Sequence, residues 1–143
     1  MASNSDAPRV PEMVLGELIG PNGPCLRFAA RIKERRVEYD ALVTLLMDHA
    51  PCPRPETGDV ARALAAGCLG DRHLWRDLDL VDRPALRLIF EDYFTPLALL
   101  NDRDMRWKKF LYKCLCRWEG FHVCRAPSCD ECSSRAECFA PEE

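Results

Sequence analysis

The sequence predicts a mainly α protein, a small single-domain helical bundle that ends in a cysteine-rich, cluster-binding loop. Three observations carry that prediction. Apolar residues recur at helical spacings through most of residues 12–119, and no stretch alternates convincingly at a period of two. Clusters of proline and glycine, with aspartates placed to cap, cut the chain into helix-sized pieces. Finally, Cys124, Cys129, Cys132 and Cys138 follow one another as C-x4-C-x2-C-x5-C, four thiols in fifteen residues, denser than core packing calls for.

Residues 1–11 are small, polar and proline-bearing and are expected to form a disordered tail. Glu12 to Ile19 suits a short amphipathic helix, which Gly20-Pro21-Asn22-Gly23-Pro24 cannot continue. Cys25 to Ala50 is expected to form two helices with a break near Val37 to Asp40, burying Leu26, Ala29, Ala30, Ile32, Leu42, Leu45 and Leu46. Pro51-Cys52-Pro53-Arg54-Pro55 is an extended, proline-rich turn. Helix resumes from Asp59 to Leu69 and stops at Gly70. A short helix spans Arg72 to Leu78, carrying His73 and Trp75. Asp82 is placed to cap a helix from Arg83 to Phe94, with Pro84 tolerated in its first turn and Leu86, Ile89, Phe90 and Tyr93 facing inward. Thr95-Pro96 starts a further turn through Leu100.

The piece that leads into the cysteines is the strongest helix. Arg103 to Glu119 lacks proline and glycine, follows Asp102 as N-cap and stops at Gly120. At about 100° per residue, Trp107, Leu111, Cys114 and Trp118 form one stripe, and Arg106, Lys109, Lys113 and Arg117 a basic one. Cys116 stands roughly 200° from Cys114, so the two thiols have different roles: Cys114 is expected in the core, Cys116 toward the cysteine segment. The expected organisation is a tail (1–11), a helical domain (12–119) and a metal-cluster segment (120–143) packed on the 103–119 helix.

Composition narrows the function. At 143 residues the chain can bury one core of ordinary size. The net charge of −3 argues against broad nucleic-acid binding, though the basic helix face can dock an acidic partner or hold an oxyanion such as molybdate. No apolar run approaches the roughly 20 residues of a membrane span, and residues 1–9 lack a signal-peptide core, so a cytoplasmic location is expected with no membrane role. Nine cysteines without an export signal imply reduced thiols. Clustered thiols then read as metal ligands, whereas the scattered Cys25, Cys52 and Cys68 read as small buried hydrophobes.

Structural zinc usually takes two ligand pairs separated by a longer spacer, while gaps of four, two and five in succession suit an iron–sulfur loop. C-x4-C-x2-C is plant-type ferredoxin spacing, and Cys138 or Cys116 can complete a cubane. Pro127 stiffens the first gap, and Ser133 can cap a turn whose N–H groups face an anionic cluster. A loop histidine ordinarily packs or meets solvent, but imidazole ligates borderline metals such as iron or molybdenum, which makes His122 a further candidate. His73 and His49 are read as packing and helix-end residues. No catalytic triad, phosphate loop, dinucleotide fingerprint or forced carboxylate pair is present, so the chain is expected not to be an enzyme.

Three stretches together resemble the NifQ family, the molybdenum-handling proteins of nitrogen fixation. They are Asp71-Arg-His73-Leu-Trp75-Arg-Asp77-Leu, Asp104-Met105-Arg-Trp107-Lys108-Lys109-Phe110-Leu-Tyr112-Lys-Cys-Leu-Cys116, and Glu119-Gly120-Phe-His-Val-Cys124 through Cys138-Phe139-Ala-Pro141-Glu142. The likeness is read over about the C-terminal half. It implies an iron–sulfur cluster containing molybdenum, the metal derived from molybdate, and delivery of that molybdenum for the iron–molybdenum cofactor of nitrogenase. The partners it implies are the NifEN scaffold and the NifH iron protein. The family's cysteine motif falls on Cys124, Cys129, Cys132 and Cys138, and its helix cysteine on Cys116; Cys114 has no counterpart. Ala140 stands where glycine is usual and Arg106 where lysine is common. The rival readings are a zinc- or [4Fe–4S]-stabilised interaction module, an electron carrier, and a DNA-repair-like cluster protein, the last of which needs a glycine-turned helical hairpin that this chain lacks.

Overall fold

A computed structural model of the chain describes residues 9–118. The mainly α prediction holds: among the described residues there are helices and no strand. They are α1 (Glu12–Ile19), α2 (Pro24–Arg27), α3 (Ala29–Glu34), α4 (Arg36–Asp48), α5 (Thr57–Cys68), α6 (Leu74–Asp77), α7 (Arg83–Tyr93), α8 (Thr95–Leu100) and α9 (Trp107–Trp118). The expected cysteine-rich segment and Gly120 lie outside the described residues, as do residues 1–8. Val10, in the stretch expected to be a tail, donates its N–H to Asp92 at 2.8 Å and packs on the core. None of the helices described is long and apolar enough to cross a membrane.

α5 is the axle of the bundle. Val60, Ala61 and Ala63 through Cys68 are all buried, so the helix is apolar nearly all round and must be surrounded rather than laid on a surface. α1, α2, α3, α4 and α6 all pack against it. Its alanines keep the neighbouring backbones close, and its partners supply the bulk through Leu42, Leu45, Leu46 and Leu74, each essentially without solvent contact. α7 forms as its sequence dictates. Asp82 accepts a hydrogen bond from the Ala85 N–H at 3.0 Å, proline sits in the first turn, and Leu86, Ile89, Phe90 and Tyr93 are buried.

Three expectations are corrected. The chain from residue 24 to 48 is three helices, kinked at Phe28 and Arg35, and Val37 to Asp40 lies inside α4. The kinks wrap short helices around α5, and Arg31 and Arg35 hold them there through the Leu69 carbonyl, Arg31 at 2.8 Å. In consequence Leu26 is 61% exposed, Ala29 and Ala30 are exposed as well, and Ile32 is half-buried. Second, Cys25 and Cys52 are exposed, and only Cys68 of the scattered thiols is buried. Third, α9 begins at Trp107, four residues later than the uninterrupted helical pattern suggests. Asn101, not Asp102, organises its entry. The Asn101 side chain accepts from the Met105 N–H at 2.8 Å and donates to the Met105 carbonyl at 3.0 Å. Asp104 turns through φ 56°, a left-handed conformation that aspartate tolerates. Arg83 ties the turn down by donating to the Asp104 and Met105 carbonyls at 2.8 and 3.0 Å.

Candidate functional site

α9 carries Cys116 and runs into the four-cysteine segment, so its anchorage decides where that segment begins. Its inner face buries Trp107, Phe110, Leu111, Cys114 and Leu115. Trp107 is fully buried and stacks on Phe90 of α7 with centroids 4.0 Å apart, while Phe110 meets it edge-on at 5.6 Å. Such pairs add about 0.5–1.5 kcal/mol each beyond area burial.

Two polar clamps complete the anchorage. Lys108 pairs with Asp77, whose carboxyl is almost wholly buried, and donates to the Gly70 carbonyl at 2.8 Å. The same carboxyl accepts from the Arg72 N–H at 3.1 Å, and Arg27 donates to the Asp77 backbone carbonyl at 3.0 Å. A Cβ on Gly70 would overlap that carboxyl, so Gly70 is required here by close approach and not merely as a helix stop. The second clamp joins Tyr112 of α9 to Glu38 of α4, the phenol donating to the carboxylate. Burial, foremost, and the Cys68 and Glu38 neighbours push the Tyr112 hydroxyl well above its ordinary value, so it remains a donor.

Two of the three family-like stretches therefore meet in space. Asp77 belongs to the Asp71–Leu78 stretch and Lys108 to the Asp104–Cys116 stretch, and their ion pair fastens one to the other. Asp71 is held below the usual carboxylate range by hydrogen bonds from Arg31, at 3.0 and 2.8 Å, which lock α3 over the same corner. Sequence reasoning passed over Asp77 and Lys108. The usable signal is only that the first of these stretches carries two aspartates and the second three lysines, opposite in charge, with nothing in the spacing to single out Asp77 and Lys108.

The two helix cysteines separate as the helical wheel predicts. Cys114 is 5% exposed and Cys116 half-buried. Burial pushes the Cys114 thiol from 9.0 up to about 12, against the lowering influence of Arg117 and Lys113. Cys68 is raised to about 12 for the same reason. Both keep their protons at neutral pH, and the thiolate is the form that ligates metal. Of the six candidate ligands, the structure places Cys116, one residue pair short of the end of α9. His122, Cys124, Cys129, Cys132 and Cys138 lie outside the described residues. Among the described residues no group of three or more His, Cys, Asp or Glu side chains is arranged to hold a metal. His49 closes α4 by placing its ring Nδ1 2.8 Å from the Leu45 carbonyl, in keeping with a helix-end role, and His73 is the half-buried residue preceding α6.

A cleft of about 290 Å³ opens beside the last turns of α9. Its buried lining includes Met105, Phe110 and Cys114, and its more exposed lining Arg103, Lys113 and Arg117. The basic stripe read from the sequence is thus divided: Lys113 and Arg117 line the cleft, and Arg106 and Lys109 do not.

The model of the NifQ family matches residues 24–140, a span that includes Cys116 and all four motif cysteines and extends well beyond the C-terminal half in which the likeness was read. The chain is 46% identical over 111 residues to Protein NifQ of Azotobacter vinelandii, covering 78% of this chain and 57% of that protein. It is 42% identical over 105 residues to Protein NifQ of Rhodobacter capsulatus, covering 73% and 58%. Over 85 residues it is 45% identical to Protein NifQ of Klebsiella pneumoniae, covering 59% and 51%. The chain thus spans about half the length of the curated relatives it matches. No solved structure matches it.

Proposed function

The chain belongs to the NifQ family of nitrogen fixation, and on that premise we propose that it is a molybdenum donor in assembly of the nitrogenase iron–molybdenum cofactor. Its cargo is a cluster of iron, sulfide and molybdenum held by Cys124, Cys129, Cys132 and Cys138, with Cys116 or His122 as a further ligand. The observation that carries this reading is the inclusion of the whole cysteine motif within the family match.

Chemistry supports it. Thiolates are soft ligands suited to iron and to sulfide-bound molybdenum. A cluster with four or fewer protein thiolates leaves a corner where a heterometal exchanges. A donor must release what it binds, and ligands on a connecting segment beyond the last anchored helix satisfy that need better than ligands within α5 would. In this reading α9 is the fixed edge, through Trp107, Lys108 and Tyr112, and the thiols beyond it are the working part. The protein is a carrier rather than a catalyst, acts in the cytoplasm, and passes its metal to the NifEN scaffold in concert with the NifH iron protein.

Metal analysis tests the cargo. The full chain, purified without oxygen from molybdate-supplied nitrogen-fixing cells, is expected to contain iron and molybdenum together and to be coloured. Colourless protein with stoichiometric zinc would establish the zinc module instead, and iron that cycles reversibly without molybdenum would establish an electron carrier.

A further inference from the structure

We propose that Lys108 and Tyr112 are positioning residues for the Cys116 thiol, which together register α9 against the carboxyl-terminal end of α5. The proposal rests on the ligand role given to Cys116 above. The last carbonyls of a helix have no partner within it, and an end that water cannot reach must find donors elsewhere in the protein. α5 ends inside the bundle, with Cys68 3% exposed and Leu69 without solvent contact.

Its closing carbonyls are met from two sides. From α3 and its C-cap, Arg31 and Arg35 donate to the Leu69 carbonyl at 2.8 and 3.3 Å. From α9, Lys108 donates to the Gly70 carbonyl at 2.8 Å, and the Tyr112 hydroxyl, which donates to Glu38, lies 3.5 Å from the Cys68 carbonyl. Glu38 also accepts from Arg35 at 3.1 Å, so the contacts from the two sides form one network. The charge of Lys108 is answered by Asp77, whose side chain is 3% exposed, and by the partial negative charge at the helix end.

Lys108, Tyr112 and Cys116 follow one another at four-residue steps and therefore share one face of α9. Trp107 holds the helix by burial, which is non-directional. Hydrogen bonds to fixed carbonyls are directional. Sliding α9 by one residue turns it through about 100° and moves it about 1.5 Å, enough to take both donors off their partners. Burial thus keeps α9 on the bundle, while the polar stripe sets its rotation and height, and with them where Cys116 stands.

Alkylation of the full, metal-free chain by iodoacetamide without oxygen, each cysteine being read by peptide mass, tests this. Cys52, exposed in the turn between α4 and α5, is the internal standard. Lys108→Met keeps the alkyl stem and removes the donor, and is expected to speed Cys116 alkylation several-fold relative to Cys52. Tyr112→Phe keeps the ring and its packing, and is expected to act in the same direction to a smaller extent. Leu18→Ala weakens the core through α1, which packs on α5 and α2, and should leave the ratio at its parental value. Asp77→Asn should also speed Cys116, and combining it with Lys108→Met should add nothing, because the two act through one contact. A parental ratio in Lys108→Met or in Tyr112→Phe would overturn the proposal, as would an equal rise in Leu18→Ala or full additivity of Lys108→Met with Asp77→Asn. Metal-free protein gives this reading, so the donor role is judged separately. The expected ratios in a chain that never carries molybdenum would end the donor reading and leave the register standing, whereas parental ratios in a chain that delivers molybdenum would do the reverse.

Discussion

Replacing Cys129 by Ala is expected to abolish loading of both iron and molybdenum while leaving the helical content of the bundle unchanged. Cys129 is the second thiol of the motif, flanked by gaps of four and two residues, so its loss breaks the motif on both sides. Among the described residues the buried cysteines are Cys68 and Cys114, and neither belongs to the motif. The two readouts should therefore separate, with metal content falling by about tenfold or more, as for loss of a ligand, and the far-ultraviolet spectrum unmoved. Cys52→Ala, which alters an exposed thiol between α4 and α5, should change neither. Full retention of both metals in Cys129→Ala would contradict the ligand assignment.

The second large effect falls on a residue that touches no metal. Trp107→Ala removes the ring stacked on Phe90 and met edge-on by Phe110, at a site without solvent contact. Truncations of this kind cost about 3–5 kcal/mol. Against a typical total of about 5–15 kcal/mol the urea midpoint should fall by a large fraction of its value. Since Lys108 and Tyr112 follow Trp107 on the same helix, a loosened α9 also loses its clamps to Asp77 and Glu38. Metal loading should then decline with stability although every cysteine remains. Trp107→Phe, which keeps a ring against Phe90, should recover part of both. An unchanged midpoint in Trp107→Ala would mean that α9 is not held as described.

What the sequence made legible follows from where local rules and packing agree. α7 combines a capping aspartate, a first-turn proline and an unbroken inward stripe, and each signal points to the same helix. The division of Cys114 from Cys116 needed only the angular step of a helix, because the α9 stripe has a single buried side. The start of α9 was illegible for the converse reason. Residues 103–106 carry no proline or glycine to stop a helix, and it is the buried Asn101 side chain, bonded at both ends to Met105, that claims the backbone first. The kinks at Phe28 and Arg35 arise from wrapping about α5, a tertiary demand with no local signature. That same wrapping turns Leu26 outward. Cysteine averages misplaced Cys25 and Cys52, since position on α2 and in the proline-rich turn outweighs residue type. The Asp77–Lys108 clamp joins residues 31 apart in sequence, so no spacing rule reveals it.

Handing the metal on is the claim on which the account turns. The full chain should be loaded with isotopically labelled molybdenum, freed of unbound molybdate and incubated without oxygen with the cofactor scaffold and the iron protein. Label is expected to leave the chain and appear on the scaffold, and Cys129→Ala protein treated in the same way should deliver none. Label that stays on the parent chain, or that reaches the scaffold equally well from free molybdate at the same concentration, would contradict a donor role.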